Sequence, residues 1–196
     1  MGANAAAATL GVRVKSGWGA AALLTGPTSS PRVLDCREVL LSDPAFPECR
    51  QPFHEGTGVA ETNTTALARR VQLVEQYGQA SVAELIEAYR QAGHALSRMA
   101  IVVSSQIDPD RIRNPHIRAH ASEGKLFRTV VEQGARRSGM KATVFLEGEL
   151  YTKAANVLGR TDTQLKQAVT QLGKGLSRGW RADQKAAAMA AWLLLT

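Results

Sequence analysis

Two short apolar runs limit the folds open to this chain more than any other feature of its sequence. Residues 99–104 read MAIVVS, and residues 142–146 read ATVFL. Runs of this length without polar alternation are typical of strands that helices cover on both faces. Between them, Asn114-Pro115 predicts a helix start, because asparagine caps a helix and proline fits its first turn. We expect this helix to end near Arg137, so that a strand, a helix and a strand follow one another.

Three further strands are predicted ahead of this unit. Residues 10–14 and 18–24 are rich in β-forming or small apolar residues, and Gly17 between them has the backbone freedom that a tight hairpin turn needs. Residues 32–41 alternate in part between apolar and polar, which indicates a third strand. A loop is expected over residues 43–52.

A long helical region separates the third strand from the fourth. Apolar residues recur at three- and four-residue steps over about residues 59–96. Gly78 interrupts this pattern, and Ser81 and Glu84 have the spacing of a capping box. We therefore predict a bend near Gly78, with a new helix start just after it.

The predicted element order indicates a fold class. Two more helices, at about 163–174 and 182–195, complete a succession of three strands, helix, strand, helix, strand, helix. This order predicts an α/β protein with a five-stranded mixed sheet flanked by helices. A chain of 196 residues without a low-complexity linker is expected to form a single domain over residues 1–196.

The same succession resembles the ribonuclease H-like superfamily, which includes the Holliday-junction resolvases of the RuvC type and the actin-like sugar kinases. The opening stretch LGVRVKSGWGAAALL is similar to the first hairpin of that superfamily. The final stretch GWRADQKAAAMAAWLLL is similar to the last helix of its resolvase branch, where an acidic residue precedes alanine-rich sequence. The resemblance implies a ribonuclease H-like architecture with the order β-β-β-α-β-α-β-α.

The acidic motif of the family is degenerate in this sequence. The resemblance implies carboxylates on the first strand, near the end of the fourth strand and on the last helix, because Mg²⁺ prefers oxygen ligands. Arg13 stands at the first-strand position, and a cation cannot bind a metal ion. The fourth strand ends in Ser104-Ser105, and the last helix offers Asp183. We therefore expect this fold without the usual two-metal nuclease site.

His116, His120 and Glu123 are the first candidate site, because steps of four and three place them on one face of the predicted helix. Since that face continues into apolar residues, all three are expected to point toward the protein. They could bind a divalent metal ion such as Zn²⁺. Glu123 and one histidine could act instead as an acid–base pair, or the triplet could be a hydrogen-bonded polar patch. The sequence leaves these hypotheses open.

Other candidate residues follow predicted strands or lie in loops. Glu147 and Glu149 follow the fifth strand, at the sheet edge where ligands often bind in α/β proteins. We include Glu147 and Asp183 with the His/His/Glu group as candidate catalytic residues, although solvated loop acids are an equal alternative. His54 lies in a loop with Glu55 and could join a cluster, although an isolated loop histidine is more often exposed.

The charge of the chain suggests a polyanionic partner. The net charge is +7, and such a surface attracts nucleic acid or another phosphate-bearing ligand. The segment GKGLSRGWR, residues 173–181, offers backbone amides, cations and an aromatic ring before a helix. Its candidate nucleic-acid-binding residues are Lys174, Arg178, Trp180 and Arg181.

Location and assembly follow from the apolar segments. No apolar run approaches the roughly 20 residues that cross a bilayer, so no membrane partner is expected and the protein is predicted to be cytoplasmic. Cys36 and Cys49 are expected to be reduced thiols. The C-terminal stretch AAAMAAWLLL is apolar on nearly all sides, which indicates a homo-oligomer or a protein partner. Three functions remain: a nucleic-acid- or phosphate-binding protein, an enzyme with a His/His/Glu site, and an assembly subunit.

Overall fold

The computed structural model describes residues 6–56, 58–176 and 179–195. Its strands are β1 (Ala6–Lys15), β2 (Trp18–Thr25), β3 (Arg32–Leu40), β4 (His54–Glu55), β5 (Val59–Ala60), β6 (His94–Val103) and β7 (Lys141–Leu146). Its helices are α1 (Thr64–Gln91), α2 (Pro115–Arg137), α3 (Glu147–Leu158), α4 (Asp162–Leu172) and α5 (Ala182–Leu193), with short 3-10 turns at Pro47–Arg50 and Pro109–Arg111.

The main sheet has the strand order β3-β2-β1-β6-β7, and β4 and β5 form a separate small hairpin. β1, β2 and β3 are antiparallel neighbours, whereas β1, β6 and β7 run parallel. The predicted five-stranded mixed sheet is therefore confirmed. Gly17 closes the β1–β2 turn with φ 81°, a backbone conformation that glycine adopts without strain.

α1 is one continuous helix, so the predicted helix start after Gly78 is wrong. The helix begins at Asn63, whose side chain accepts hydrogen bonds from the amides of Thr65 and Ala66. Gly78 marks a close approach instead. A Cβ there would lie 2.5 Å from a methyl group of Val130 on α2 and 2.9 Å from the carbonyl oxygen of Leu41.

α3 is not among the helices predicted from the sequence, where Glu147 and Glu149 were expected to follow the fifth strand without a helix. The helix begins directly after Leu146, and no side chain caps its first turn. Gly148 within that turn further weakens the helix signal. The helix ends at Gly159, which has φ 62°.

The sheet separates two layers of helices. On one face, α1 and α2 pack over Leu10, Val12 and Ile101, and on the other face α3, α4 and α5 pack over Ala22, Leu24, Ala100 and Val102. Side chains of β1 alternate between the two, since Thr9 donates a hydrogen bond to the carbonyl oxygen of Ala191 on α5. Each layer places the first turn of a helix near the carboxyl ends of the parallel strands.

The apolar circumference of α5 is covered within the chain. Residues 186–193 are all buried, enclosed by β1, β2, β6, α3 and α4. The apolar sequence of this helix therefore requires no partner protein, although it had suggested one.

Two smaller expectations concern membranes and thiols. None of the described helices combines the length and the apolar character that crossing a bilayer requires.

Cys36 and Cys49 are buried thiols that are not joined in a disulfide. Burial raises the pKa of the Cys49 thiol, which favours its protonated form.

Candidate functional site

The first turns of α2 carry the histidines that the sequence singled out. Asn114 caps the helix by accepting a hydrogen bond from the amide of Ile117, so the start of the helix is fixed. Glu123 is completely buried, as predicted. His116 and His120 are accessible to solvent, and half of the His120 side chain is exposed. The predicted inward orientation is therefore correct for the carboxylate, whereas both imidazoles reach the surface.

His54 completes the group and is buried, although a loop histidine is more often exposed than part of such a cluster. Only 3% of its side chain is exposed. Its Nδ1 lies 2.7 Å from Oε1 of Glu123. Arg70 on α1 holds the β4–β5 hairpin in place, because it donates to the carbonyl oxygen of His54 at 3.0 Å and pairs with Glu61 at 3.0 Å.

His54, His116, His120 and Glu123, which we call the histidine cluster, are in mutual contact. Nε2 of His116 and Nε2 of His120 are 3.3 Å apart, and Nδ1 of His120 lies 3.5 Å from Oε2 of Glu123. The His54 ring centroid is 4.4 Å from that of His120 and 5.2 Å from that of His116. One ring nitrogen from each histidine falls within 4.8 Å of the other two. The arrangement offers three imidazole nitrogens to one small ligand.

A cleft lies beside the cluster at the end of β6. Its lining includes His120, Ser104, Ser105, Lys125 and Arg128. Half of the Lys125 side chain is exposed, and its ammonium lies 3.6 Å from Asp108. The candidate α2 residues are thus at the carboxyl end of a central parallel strand, where ligands bind in open α/β sheets.

Arg13 forms a second polar group on the other face of the sheet. Its guanidinium is buried, donates to Oε2 of Glu147 at 2.5 Å and to the carbonyl oxygen of Val14 at 2.6 Å, and lies 3.9 Å from Oδ1 of Asp183. Lys15 also pairs with Asp183, at 3.4 Å. We call Arg13, Lys15, Glu147 and Asp183 the Arg13 cluster.

The Arg13 cluster brings together two of the candidate catalytic acids but keeps them from the histidines. Glu147 begins α3 and Asp183 begins α5, both in the layer opposite α2. The buried guanidinium thus hydrogen-bonds one oxygen of Glu147 and lies beside Asp183, at the place where the resemblance implies metal-binding carboxylates. Glu149 forms an exposed pair with Lys153 at 2.8 Å and joins neither cluster.

The basic segment before α5 is partly packed. The Trp180 ring covers Gly173, and its Nε1 donates to the carbonyl oxygen of Val169 at 2.8 Å. Lys174 and Arg181 are exposed. Arg178 lies outside the described residues.

Arg181 shares a cleft with Arg37 on β3, a cation that the sequence analysis did not select. Arg37 is held in place by Asp35, at 2.5 Å, and by the ring of Tyr89. Burial alone would raise the pKa of the Asp35 carboxyl, but the hydrogen bonds from Tyr89 and Arg37 and the charge of Arg37 outweigh it, so this pKa is lowered. Two cations, Arg37 and Arg181, thus line this cleft together with Glu38.

Comparison with solved structures identifies the architecture. The structure of RuvC from Thermus thermophilus matches with a TM-score of 0.56 and 14% identity, over 95% of this chain and 92% of RuvC. The fold is ribonuclease H-like. A second structure, Thermus thermophilus RuvC in complex with a Holliday junction substrate, matches with the same TM-score and identity over 95% of this chain and 91% of RuvC. No protein-family model and no curated protein sequence matches the chain.

Sequence periodicity reveals only the part of the histidine cluster that lies on a single helix. His116, His120 and Glu123 share one helix, so their spacing revealed them. His54 is 69 positions from Glu123 and lies in a two-residue strand. The contact between them depends on tertiary packing, and no local pattern in the sequence indicates it.

Proposed function

We propose that this protein binds nucleic acid with a ribonuclease H-like fold and does not cleave it by two-metal chemistry. The observation that carries the proposal is the Arg13 cluster. Two-metal cleavage needs carboxylate oxygens that are free to bind Mg²⁺. Here Arg13 donates to Glu147 and lies beside Asp183, and its positive charge repels a metal ion from the same place.

Charge supports the binding part of the proposal. The net charge is +7, and each phosphate that a cation neutralises releases counterions, which favours association. Arg181 and Lys15 stand beside Asp183 at the start of α5, and Lys125 lines the cleft at the end of β6. Cations therefore border the carboxyl ends of β1 and β6. The similar RuvC structure with a Holliday junction makes a four-way DNA junction the natural first probe.

Binding is tested by fluorescence anisotropy with a labelled four-way DNA junction and a duplex of the same sequence, across a series of salt concentrations. We expect log Kobs to fall linearly with log salt, because counterions are released on binding. Arg181→Ala and Lys166→Ala form a matched pair, since each removes one exposed charge and Lys166 lies on α4. Only Arg181→Ala is expected to reduce the slope, by about one.

Cleavage is tested by incubating the same labelled DNA with the protein and Mg²⁺ or Mn²⁺. We expect the DNA to remain intact. Strand scission that a chelator abolishes would contradict the loss of two-metal chemistry. Failure to bind either DNA at low salt would contradict nucleic-acid binding, and equal slopes for the two variants would contradict the place of Arg181 in the interface.

A further inference from the structure

The buried carboxylate determines which nitrogen of His54 carries the proton. Glu123 is completely buried, and as a carboxylate it only accepts hydrogen bonds. Its Oε1 lies 2.7 Å from Nδ1 of His54, so in the neutral imidazole that nitrogen donates and Nε2 keeps the lone pair. Nε2 is buried and has no hydrogen-bond partner among the described residues. A buried polar atom without a partner destabilises the folded state. A ligand bound to this lone pair would remove that destabilisation.

The other carboxylate oxygen lies near His120 without a hydrogen bond to it. Oε2 of Glu123 is 3.5 Å from Nδ1 of His120 and, like Nε2 of His54, is buried with no hydrogen-bond partner among the described residues. Nε2 of His120 lies 3.3 Å from Nε2 of His116. Two imidazole nitrogens at this distance can share one proton or one metal ion. Tetrahedral zinc, with Zn–N bonds of about 2.0–2.1 Å, places two ligand nitrogens about 3.4 Å apart.

We infer that His54, His116 and His120 bind one Zn²⁺ ion through their Nε2 atoms, and that Glu123 orients His54 and His120 from behind. A carboxylate that accepts the second N–H of a ligating histidine is the usual support of such a ligand. Three imidazoles form a nitrogen site that suits zinc, and the fourth position lies on the solvent side, where His120 is half exposed. The site lies apart from the Arg13 cluster, and His120 also lines the cleft at the end of β6 that contains Lys125.

The geometry favours zinc over a hydrogen-bonded polar patch. In a polar patch, each buried nitrogen would have a donor or an acceptor. The described residues give His54 Nε2 none. One ring nitrogen from each histidine lies within 4.8 Å of the other two, and the two accessible rings can adjust toward the buried one. The sequence predicts Glu123 as a metal ligand, whereas in the proposed site it is not one. Its two oxygens face the Nδ1 atoms of His54 and His120, so it positions the ligating histidines.

Zinc binding is tested by titrating chelator-treated protein with Zn²⁺ in a calorimeter, and by the visible absorption of Co²⁺ bound in its place. His116→Ala and His120→Ala remove one accessible ligand each and leave the buried His54–Glu123 pair intact. His94→Gln is the matched control, because His94 is the one other histidine of the sequence and lies at the start of β6, outside the cluster. Glu123→Gln tests the positioning role.

We expect one Zn²⁺ per chain for the unsubstituted protein and for His94→Gln, with the Co²⁺ spectrum of a four-coordinate site. His116→Ala and His120→Ala should each weaken binding at least about 100-fold, and Glu123→Gln about 10- to 100-fold, as for other residues that support a ligand. Zinc binding that is no tighter in the unsubstituted protein than in the His116→Ala/His120→Ala double variant would overturn the inference. An equal loss in His94→Gln would also overturn it.

Discussion

The chemistry of the Arg13 cluster depends on one side chain and its direction. Alternation along β1 points Thr9, Gly11 and Arg13 toward α5, while Leu10 and Val12 point toward α1 and α2. A carboxylate at position 13 would add a third acid beside Glu147 and Asp183. The guanidinium of Arg13 forms ion pairs with these two acids instead. The identity of residue 13 therefore determines whether the acids at this edge of the sheet face a third carboxylate or a positive charge.

Replacing Arg13 by Met tests the energetic role of this ion pair. The substitution keeps a long side chain but removes the partner of Glu147 and a donor to Val14. We expect the free energy of unfolding to fall by about 2 kcal/mol, less than for a fully buried pair, because Glu147 and Asp183 can reach water. Urea denaturation measures this change.

Lys153→Met is the control for the Arg13 substitution. It breaks the exposed pair with Glu149 on α3, where an ion pair contributes about 0.5 kcal/mol or less. Equal losses of stability in the two variants would show that the burial of Arg13 has no energetic consequence.

Single residues also show what the sequence could and could not predict about the site. Glu123 continues an apolar helical stripe, so its burial was predictable from spacing alone. His54 follows a proline-rich loop, and loop histidines are usually exposed. It becomes buried because Arg70 fixes the carbonyl oxygen of its hairpin against α1. His54 also contacts Glu123 on α2, which is 69 positions away, so no short sequence window contains both residues of the buried pair.

At the scale of elements, glycines control how closely the layers approach. Gly78 on α1 faces Val130 on α2, and Gly134 on α2 faces Val82 on α1. A Cβ at Gly134 would lie 2.9 Å from Val82. The sequence pattern predicts a helix break at Gly78 because glycine lowers helix propensity. Packing of α1 on α2 outweighs that local preference. The helices with clear caps, α2 at Asn114 and α4 at Thr161, were placed within a residue or two of their observed starts.

Gly11→Ala tests the contact between β1 and α5. A Cβ at Gly11 would lie 2.0 Å from the carbonyl oxygen of Ala187, a backbone atom that cannot move without shifting the helix. We expect a loss of about 3 kcal/mol in the free energy of unfolding, as for severe overpacking. The denaturation midpoint in urea reports this loss.

Gly124→Ala provides the comparison on an open helix surface. Gly124 lies on the exposed side of α2, and nothing lies within 4 Å of an added Cβ. This variant should gain about 0.5–1 kcal/mol from the better helix propensity of alanine. A stable Gly11→Ala protein, with a midpoint at or above that of the unsubstituted chain, would contradict the tight β1–α5 contact.

For the whole molecule, the order of elements was more informative than any motif. Three strands in hairpin connection and then strand–helix alternation predicted the five-stranded mixed sheet, and the TM-score of 0.56 to RuvC at 14% identity agrees with it. Topology survives because many apolar sequences can fill the same layers. Both clusters depend on contacts between elements distant in sequence, His54 with α2 and Arg13 with α3 and α5. The residues of each cluster meet only in the folded chain. Sequence patterns therefore indicate single members of each cluster but not the full set.

The histidine cluster also predicts how a metal ion changes the stability of the whole chain. His54 and the α2 histidines meet only in the folded protein, so Zn²⁺ bound to all three favours the native state by mass action. At a free zinc concentration 100 times Kd, the free energy of unfolding should rise by about 2.7 kcal/mol, with less gain if the unfolded chain also binds zinc. The urea midpoint should rise while the slope of the unfolding free energy with urea stays constant, because the surface exposed on unfolding is the same. His116→Ala should lose this stabilisation and His94→Gln should keep it; a zinc-dependent rise of the same size in both variants would place the bound ion elsewhere on the chain.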